Sequence, residues 1–353
     1  MLPTKLLFIV SGEYPTLPKA EVKAILEGEG INYRVSGDYT QCLVVSLEES
    51  KVENAVKRVA DRAAYTKRIC LYLASAKPQL SDIKSVVSEV EIPKMSSAES
   101  FRVRVKRIKG ASRHLRVLTL EREIGGVIKS KYGVKVNLEN PEVEVYGVLT
   151  DNVFILGKTL KVINRGFLIA RKADLRPFFH PSVMNAVLAR AMVNLARVKP
   201  GDVVLDPFCG PGGILIEAGL MGLKVRGADI SERMVKGARA NLSFFGVEDF
   251  EIVCGDARKL DIRGVDAIVT DPPYGKLAST RDSEPRKLID EFLDVVRDYV
   301  KPRGYVCMAS PHWFNIEKMI VEHGYKLVES HRCYVHRGLT RKVVVFQNTP
   351  AGV

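Results

Sequence analysis

The sequence predicts an α/β protein in which a Rossmann-like C-terminal domain follows smaller α+β domains. At 353 residues the chain is longer than one ordinary domain requires, so we expect an internal boundary. From about residue 181 onward, apolar strand-like runs alternate with helical ones, which is typical of a mostly parallel sheet with crossover helices. The first half lacks this regular alternation and indicates a separate α+β fold.

The C-terminal half contains strand-like runs that mostly alternate with helix candidates. The predicted strands cover residues 203–205, 224–228, 250–253, 267–270 and 305–308, and the predicted helices cover 183–197, 213–221, 232–245 and 284–300. Ser231 and Gly246 supply the start and stop signals of the third helix. Two further runs, 325–334 and 342–346, predict an antiparallel pair that closes the sheet.

The first half predicts strands around amphipathic helices. We expect strands at 6–10, 43–47, 101–105, 143–148 and 153–156 and helices at 18–29, 51–64 and 112–131, with a turn at Asp151 and Asn152. In the strand near residue 103, apolar residues alternate with cationic ones, so one face is predicted to be apolar and the other basic. Residues 158–180 are rich in arginine, lysine and aromatic residues without periodicity, and we interpret them as a linker.

The composition indicates the class of binding partner and the expected location of the protein. The formal net charge of +13 fits a polyanionic partner such as nucleic acid. The six cysteines lack paired C-x-x-C spacing, so neither a zinc site nor a redox motif is predicted. Because no apolar run has the length of a signal-peptide core or a membrane span, we expect a cytoplasmic protein without membrane contact.

The loop after the first strand of the C-terminal half carries glycines and a leading acid. It reads Asp206-Pro207-Phe208-Cys209-Gly210-Pro211-Gly212-Gly213 and leads into a helix. Glycines at such a turn let the backbone approach a ligand closely, which indicates a nucleotide-like cofactor. The loop is not G-x-G-x-x-G, and its acid would repel a pyrophosphate. A cationic cofactor without phosphates, such as S-adenosylmethionine, fits better, so a dehydrogenase is disfavoured.

Two further acids stand at the ends of the next strands. Asp229 lies 23 residues beyond Asp206, where an acid normally pairs with ribose hydroxyls. Asp256 ends the third strand, where its carboxylate is positioned to accept the adenine amino group. Taken alone, each acid is equally compatible with an ordinary loop residue or a helix cap. At successive strand ends, the three acids together indicate a cofactor site.

The sharpest motif is Asp271-Pro272-Pro273-Tyr274, which follows the fourth strand. An exocyclic amine on a base is a poor nucleophile because its lone pair is delocalised into the ring. A carboxylate and a proline carbonyl that accept its hydrogens localise that lone pair for attack on a sulfonium methyl group. Tyr274 offers a face on which a flipped-out base stacks. The alternative is a Pro-Pro turn with a core-capping tyrosine.

The pattern formed by His180-Pro181, the loop that starts at Asp206, and Asp271-Pro272-Pro273-Tyr274-Gly275 resembles the archaeal and eukaryotic tRNA guanosine-10 N2-methyltransferases over essentially the whole chain. The resemblance implies a ferredoxin-like segment at 1–50, a tRNA-binding THUMP domain at 51–157, the linker at 158–180 and a class I methyltransferase domain at 181–353. It implies the addition of one or two methyl groups to N2 of guanine 10. A small activator protein is implied only for eukaryotic-type relatives, and we expect a monomer.

The resemblance and the motifs together assign site residues. Catalysis is expected at Asp271, Pro272, Pro273 and Tyr274, and no metal is expected. Cofactor contacts are expected at Asp206, Phe208, Cys209, Gly210, Gly213, Asp229, Ile230, Asp256 and Ala257. Related THUMP methyltransferases that act on guanosine 6 tend to carry Asn in place of Asp271, so the acid favours guanosine 10.

The basic residues of the first half predict the RNA surface. Residues 101–135 hold eleven lysines and arginines against only Glu121 and Glu123. Such a run is often a solvated face, but next to an RNA-modifying motif phosphate binding is favoured. The expected RNA contacts are Arg102, Arg104, Lys106, Lys109, Arg113, Arg116, Lys129, Lys131 and, in the linker, Arg165.

Other functions remain open on the sequence. The tetrad also fits an amino-methyltransferase that acts on DNA adenine or protein glutamine, although the basic first half argues against both. A THUMP methyltransferase acting on guanosine 6 is a closer alternative. A non-catalytic tRNA-binding protein with the same fold is disfavoured by the intact tetrad.

Overall fold

The computed structural model describes residues 3–169, 171, 175–180, 184–273, 283–336 and 339–349. The chain forms two compact units. The N-terminal unit consists of Met1–Pro15, Ile31–Asp61 and Thr66–Asn164, and the C-terminal unit consists of Thr16–Gly30, Arg62–Tyr65 and Arg165–Val353. The units therefore divide the chain differently from the domain boundaries expected from the sequence, because two short N-terminal stretches belong to the C-terminal unit.

The described helices and strands agree in most places with the predicted ones. The helices are α1 (Leu17–Gly28), α2 (Val52–Arg62), α3 (Leu80–Glu89), α4 (Val117–Tyr132), α5 (Gly166–Ile169), α6 (Ala186–Leu195), α7 (Gly213–Gly219), α8 (Glu232–Phe244), α9 (Ser283–Tyr299) and α10 (Ile316–Glu322). The strands are β1 (Thr4–Val10), β2 (Arg34–Tyr39), β3 (Cys42–Leu47), β4 (Thr66–Ala76), β5 (Ser100–Arg107), β6 (Lys135–Val136), β7 (Val143–Thr150), β8 (Val153–Val162), β9 (Val203–Asp206), β10 (Lys224–Asp229), β11 (Phe250–Cys254), β12 (Val265–Thr270), β13 (Val300–Pro311), β14 (Lys326–His336) and β15 (Leu339–Gln347).

The N-terminal unit is built on one eight-stranded sheet with the order β2-β3-β1-β4-β8-β7-β5-β6. Along β5 the residues Phe101, Val103 and Val105 are buried, as their alternation predicts. Helix α4 packs on the sheet through Leu120, Ile124 and Ile128, which are spaced four residues apart and share one helix face. The β7–β8 hairpin turns at Asp151 and Asn152, both with positive φ.

Two predictions about the N-terminal unit were wrong in their boundaries. Helix α4 begins at Val117 rather than at Ser112, because the Arg107 guanidinium donates to the carbonyls of Ala111 and Leu115 and holds the preceding segment as a loop. The expected linker at 158–180 begins too early, because residues 158–162 continue β8 and pair with β4. Strands β2 and β4 and helix α3 were not predicted.

The C-terminal unit has a seven-stranded sheet with the order β11-β10-β9-β12-β13-β15-β14. Strands β9 to β13 run parallel to their neighbours, and β15 runs antiparallel between β13 and β14. This confirms the predicted parallel sheet with an antiparallel closing pair, although helix α10 was not predicted. The strand order reverses beside β9, and ligands of open α/β sheets bind at the carboxyl ends of strands at such a switch point.

Helix α1 belongs to the core of the C-terminal unit through buried polar contacts. Glu21, which is fully buried, accepts hydrogen bonds from the backbone N–H of Ala64 at 2.7 Å, the N–H of Tyr65 at 2.9 Å and Nδ2 of Asn194 at 2.8 Å. Burial raises the pKa of Glu21, with these hydrogen bonds opposing it. Within the described residues, no helix combines the length and apolarity needed to cross a bilayer.

Candidate active site at the strand switch point

The loop after β9 is anchored through the buried carboxylate of Asp206. Its Oδ1 accepts hydrogen bonds from Thr270 Oγ1 at 2.6 Å and from the backbone N–H of Phe208 at 3.2 Å, so it ties the ends of β9 and β12 together. Gly210 and Gly212 have φ angles of 49° and 84°, in the left-handed region that favours glycine. The turn therefore needs glycine at both positions, as expected for close backbone approach to a ligand.

Asp229 fixes this loop against the end of β10. Its Oδ2 accepts from the N–H of Gly210 at 3.0 Å, and its Oδ1 accepts from the N–H of Ser231 at 2.8 Å. Ser231 precedes α8 as predicted, but its side chain makes no capping hydrogen bond. Ile230 follows Asp229 and is 75% exposed, which leaves an apolar side chain at the cofactor edge of the sheet.

Asp256 is held by an ion pair that was not predicted from the sequence. Arg258 Nε lies 2.9 Å from Oδ1 of Asp256, and Arg258 also pairs with Glu291. This hydrogen-bonded pairing lowers the pKa of Asp256 to about 2. The carboxylate is therefore ionised at neutral pH. An adenine amino group would share it with the guanidinium, since a carboxylate accepts several hydrogen bonds.

The remaining predicted cofactor residues are half-buried or buried. Phe208 packs edge-on against Phe292 with ring centroids 5.2 Å apart. Cys209 is buried, and burial raises the pKa of its thiol well above the usual range. Gly213 begins α7, and the carbonyl of Ala257 accepts from the hydroxyl of Tyr299 at 3.0 Å. Cys209 and Ala257 therefore offer backbone rather than side-chain groups to a ligand.

The site concentrates negative charge around a buried carboxylate. The pKa of Asp206 is raised to about 7, mainly by burial and also by the nearby charges of Asp271 and Asp229, while hydrogen bonds from Thr270 and Phe208 act to lower it. A cation placed among these carboxylates would favour their ionised forms. S-adenosylmethionine carries a sulfonium and an ammonium group and no phosphate, so the acid set fits this cofactor and disfavours a dinucleotide.

Asp271 stands directly after β12, and its carboxylate meets Arg341. Arg341 Nη2 lies 3.2 Å from Asp271 Oδ2, and the two side chains are 12% and 16% exposed. Burial raises the pKa of Asp271 to about 6, while the Arg341 charge acts to lower it. Pro272 is buried and Pro273 is exposed. Tyr274, the fourth predicted catalytic residue, lies outside the described residues, as does Pro181.

Arg341 is a site residue that was not predicted from the sequence. It lies in β15, about 70 residues after the tetrad, and it pairs in register with Pro311 of β13. No spacing rule connects it with Asp271, because the connection depends on β15 inserting beside β13. The available signal was an arginine directly before the predicted closing strand at 342–346.

The predicted RNA-contacting residues differ in their exposure and in their pairing with acidic side chains. Lys109, Arg113, Arg116, Lys129 and Lys131 are exposed, with Lys131 paired to Glu91 at 2.9 Å. The expected basic face of β5 is partly neutralised, because Arg102 Nε lies 2.6 Å from Glu144 and Arg104 lies 3.7 Å from Glu121. Lys106 is half-buried. In the C-terminal unit, Arg165 donates to the carbonyl of Ala64 at 3.0 Å.

Comparison with known proteins agrees with this geometry. Residues 173–343 match an RMKL-like methyltransferase domain, and residues 78–157 match a THUMP domain. A tRNA (guanine(10)-N2)-dimethyltransferase from Methanothermobacter thermautotrophicus is 41% identical over 97% of this chain and 99% of its own length. One from Methanocaldococcus jannaschii is 35% identical over 96% and 99%. The crystal structure of TrmN from Thermus thermophilus shares the fold with a TM-score of 0.54 at 21% identity, covering 98% of this chain and 99% of that one.

The fold, the acid cluster and the two domain matches define an S-adenosylmethionine-dependent methyltransferase with a THUMP domain. Its identity to full-length relatives is well above 30%. The chain belongs to the tRNA (guanine(10)-N2)-dimethyltransferase family.

Proposed function

We propose that this enzyme transfers methyl groups to N2 of guanosine 10 in tRNA and forms first the monomethyl and then the dimethyl product. The observation that carries the proposal is the buried Asp271 carboxylate, followed by Pro272 and Pro273, at the switch point beside the acid cluster. The names of the full-length relatives support the target atom and the second methylation.

Bound S-adenosylmethionine supplies an electrophilic methyl group on a sulfonium. We assign Asp206 to the cationic end of the cofactor, Asp229 to the ribose hydroxyls and Asp256 to the adenine amine. Gly210 and Gly213 provide close backbone approach, and Ile230 covers the adenine ring. Phe208, Cys209 and Ala257 complete the proposed site.

Asp271 prepares the nucleophile. In the first methyl transfer, its carboxylate and the carbonyl of Pro272 accept the two N2 hydrogens, which draws the nitrogen lone pair out of conjugation with the guanine ring; in the second transfer, Asp271 accepts the one N2 hydrogen that remains. Bound S-adenosylmethionine would donate its methyl group to N2 and leave as a neutral thioether, with sulfur keeping the electron pair of the broken C–S bond. The nitrogen then gives up a proton, and Asp271 is suited to receive it because its pKa of about 6 lies close to neutrality. Tyr274 is assigned to stacking on the base.

We place tRNA binding on the exposed cations of the N-terminal unit. Replacing Lys109, Arg113 and Arg116 together with alanine should weaken tRNA binding by ten- to a hundredfold. It should also lower the slope of log affinity against log salt by about two to three, since each lost phosphate contact removes about one. Binding should be measured by filter retention across a salt series. Arg102 and Arg104 should contribute less per residue, because acids already neutralise them.

A matched triple variant distinguishes the loss of a local RNA-binding surface from a general loss of positive charge. Replacing Lys224, Lys318 and Lys326, which are exposed on the C-terminal unit, removes the same net charge. If both triple variants lower affinity and slope equally, the proposed RNA surface is wrong.

We further propose a monomer that acts in the cytoplasm, with an activator needed only by eukaryotic-type relatives. The division into segments 1–50, 51–157 and 181–353, joined by a linker that follows β8 and ends at residue 180, is likewise a proposal.

The test of the proposed function is methyl transfer from labelled S-adenosylmethionine to an unmodified tRNA transcript, followed by nucleoside analysis. We expect N2-methylguanosine early and N2,N2-dimethylguanosine late, and no label in a transcript whose guanosine 10 is replaced by adenosine. A transcript with guanosine 6 replaced should remain a substrate. Label on adenine, on DNA or on position 6 would overturn the proposal and leave the methyltransferase fold intact.

A further inference from the structure

Arg341 reaches the reacting carboxylate from a distant part of the chain. The strand order β12-β13-β15 places one strand between the two residues, and Arg341 pairs in register with Pro311 of that strand. Its side chain nevertheless meets Asp271, with Nη2 3.2 Å from Oδ2, and both groups are largely buried. Desolvating such a pair costs free energy, so a buried ion pair is weak evidence for a stabilising role.

We propose that Arg341 is a positioning residue, which keeps Asp271 ionised and holds one carboxylate oxygen so that the other faces the target amine. This proposal rests on the proposed function of Asp271. Arg341 bonds Oδ2, and Oδ1 is the oxygen that we assign to an N2 hydrogen, since each carboxylate oxygen accepts more than one hydrogen bond. A planar guanidinium suits this task because it is always charged and directs its donors in a fixed fork.

Among the residues that the structure describes, the surroundings of Asp271 include another acid as well as Arg341. Asp206 at the end of β9 lies near Asp271, and Asp229 at the end of β10 lies near Asp206. On β13, residues 308–311 beside the end of β12 carry no titratable side chain, and His312 follows them. Burial raises the pKa of Asp271 to about 6 even with Arg341 in place. Without the guanidinium the pKa must rise further, and less carboxylate is ionised at neutral pH.

The decisive experiment is the pH dependence of single-turnover methyl transfer to tRNA. With saturating cofactor and tRNA, the wild-type rate should fall below about pH 6 as Asp271 is protonated. Arg341→Gln should move this acid limb upward by about one unit, so that the rate drops about fivefold at pH 6 and largely recovers by about pH 9. Arg341→Lys keeps the charge without the fork and should give a smaller shift.

Further variants test whether a shift of the acid limb comes from the Arg341–Asp271 pair. Asp271→Asn keeps an acceptor oxygen that does not titrate, so the acid limb should vanish. Adding Arg341→Gln to it should then cause no further change in the profile. Arg226→Gln removes another arginine–aspartate pair of the same unit, with Asp249 at 2.9 Å, and should leave the profile unchanged.

Several outcomes would overturn the proposal. A uniform rate loss at all pH values, or an unmoved acid limb, would make Arg341 a structural or substrate-binding residue. If Arg341→Gln does not fold, an unshifted limb in Arg341→Lys together with full activity would have the same meaning. Wild-type enzyme that does not methylate guanosine 10 would instead refute the proposed function, which keeps the two failures distinct.

Discussion

Replacing Asp271 with alanine should lower the single-turnover rate of tRNA methylation by at least about a hundredfold, the usual cost of losing one preorganised hydrogen-bonding group at a reacting centre. Affinities for S-adenosylmethionine and tRNA should change by less than about threefold, because the proposed interaction strengthens only as the amine becomes a nucleophile. The measurements are rapid-quench methyl transfer, and equilibrium binding of cofactor and tRNA to the same preparation.

The substitution removes an unfavourably buried carboxylate, but it also removes an ion-pair partner of the largely buried Arg341, so we expect a folded variant of lower stability. Thermal unfolding of the variant checks this. Asp271→Asn is the matched control and should retain more activity than alanine, because its amide oxygen still accepts a hydrogen bond. Equal loss of cofactor binding and rate in the alanine variant would show that Asp271 supports the cofactor pocket and does not act on the amine.

Much of the C-terminal unit was predictable because its local sequence patterns agree with the overall arrangement of its parallel sheet. The apolar runs of the parallel sheet are largely buried, and β9, β10 and β12 each end in an acid or directly before one. Parallel strands place these ends at one edge, so the positions of Asp206, Asp229 and Asp271 in the chain already predict that they lie together. The hydrogen bonds from Thr270 and Gly210 to these acids confirm that the ends converge.

The unpredicted features depend on pairing between distant segments. Arg341 acts on Asp271 only because β15 inserts between β13 and β14, and no local pattern encodes that order. Asp256 follows the expected strand, yet Arg258 two residues later occupies its carboxylate. In the N-terminal unit, the alternation around Arg102 correctly predicted an apolar and a basic face. The acid that neutralises Arg102 comes from the neighbouring strand β7.

The position of helix α1 has the same explanation. Its apolar periodicity predicted a helix at 18–29, but the partners of its buried acid lie near residue 64 and in α6. A buried carboxylate that satisfies three donors from separate segments cannot be recognised from its own neighbours in the chain. The membership of α1 in the C-terminal unit therefore became visible only with tertiary contacts.

Replacing Asp206 with asparagine should stabilise the cofactor-free protein at neutral to alkaline pH while abolishing cofactor binding. The folded-state pKa of Asp206 is raised to about 7 from an ordinary value of 3.8, so folding disfavours its ionised form. The penalty is absent below about pH 4, where the folded and unfolded states are both protonated. It grows as pH rises and is complete above about pH 7, where it amounts to roughly 3 to 4 kcal/mol.

Asparagine keeps an oxygen that accepts from Thr270 and Phe208 and carries no charge. Urea unfolding at a series of pH values should therefore show the variant matching wild type near pH 4 and exceeding it near pH 8. Asp266→Asn is the control of opposite sign. The Asp266 pKa is lowered despite its burial, by hydrogen bonds from Lys301 and Val203, so that variant should lose stability above about pH 4. Two results would contradict this prediction. One is an Asp206→Asn protein that is no more stable than wild type at pH 8, and the other is a variant that still binds S-adenosylmethionine tightly. Either result would show that the Asp206 carboxylate is not a destabilising group that the positive charge of the cofactor compensates.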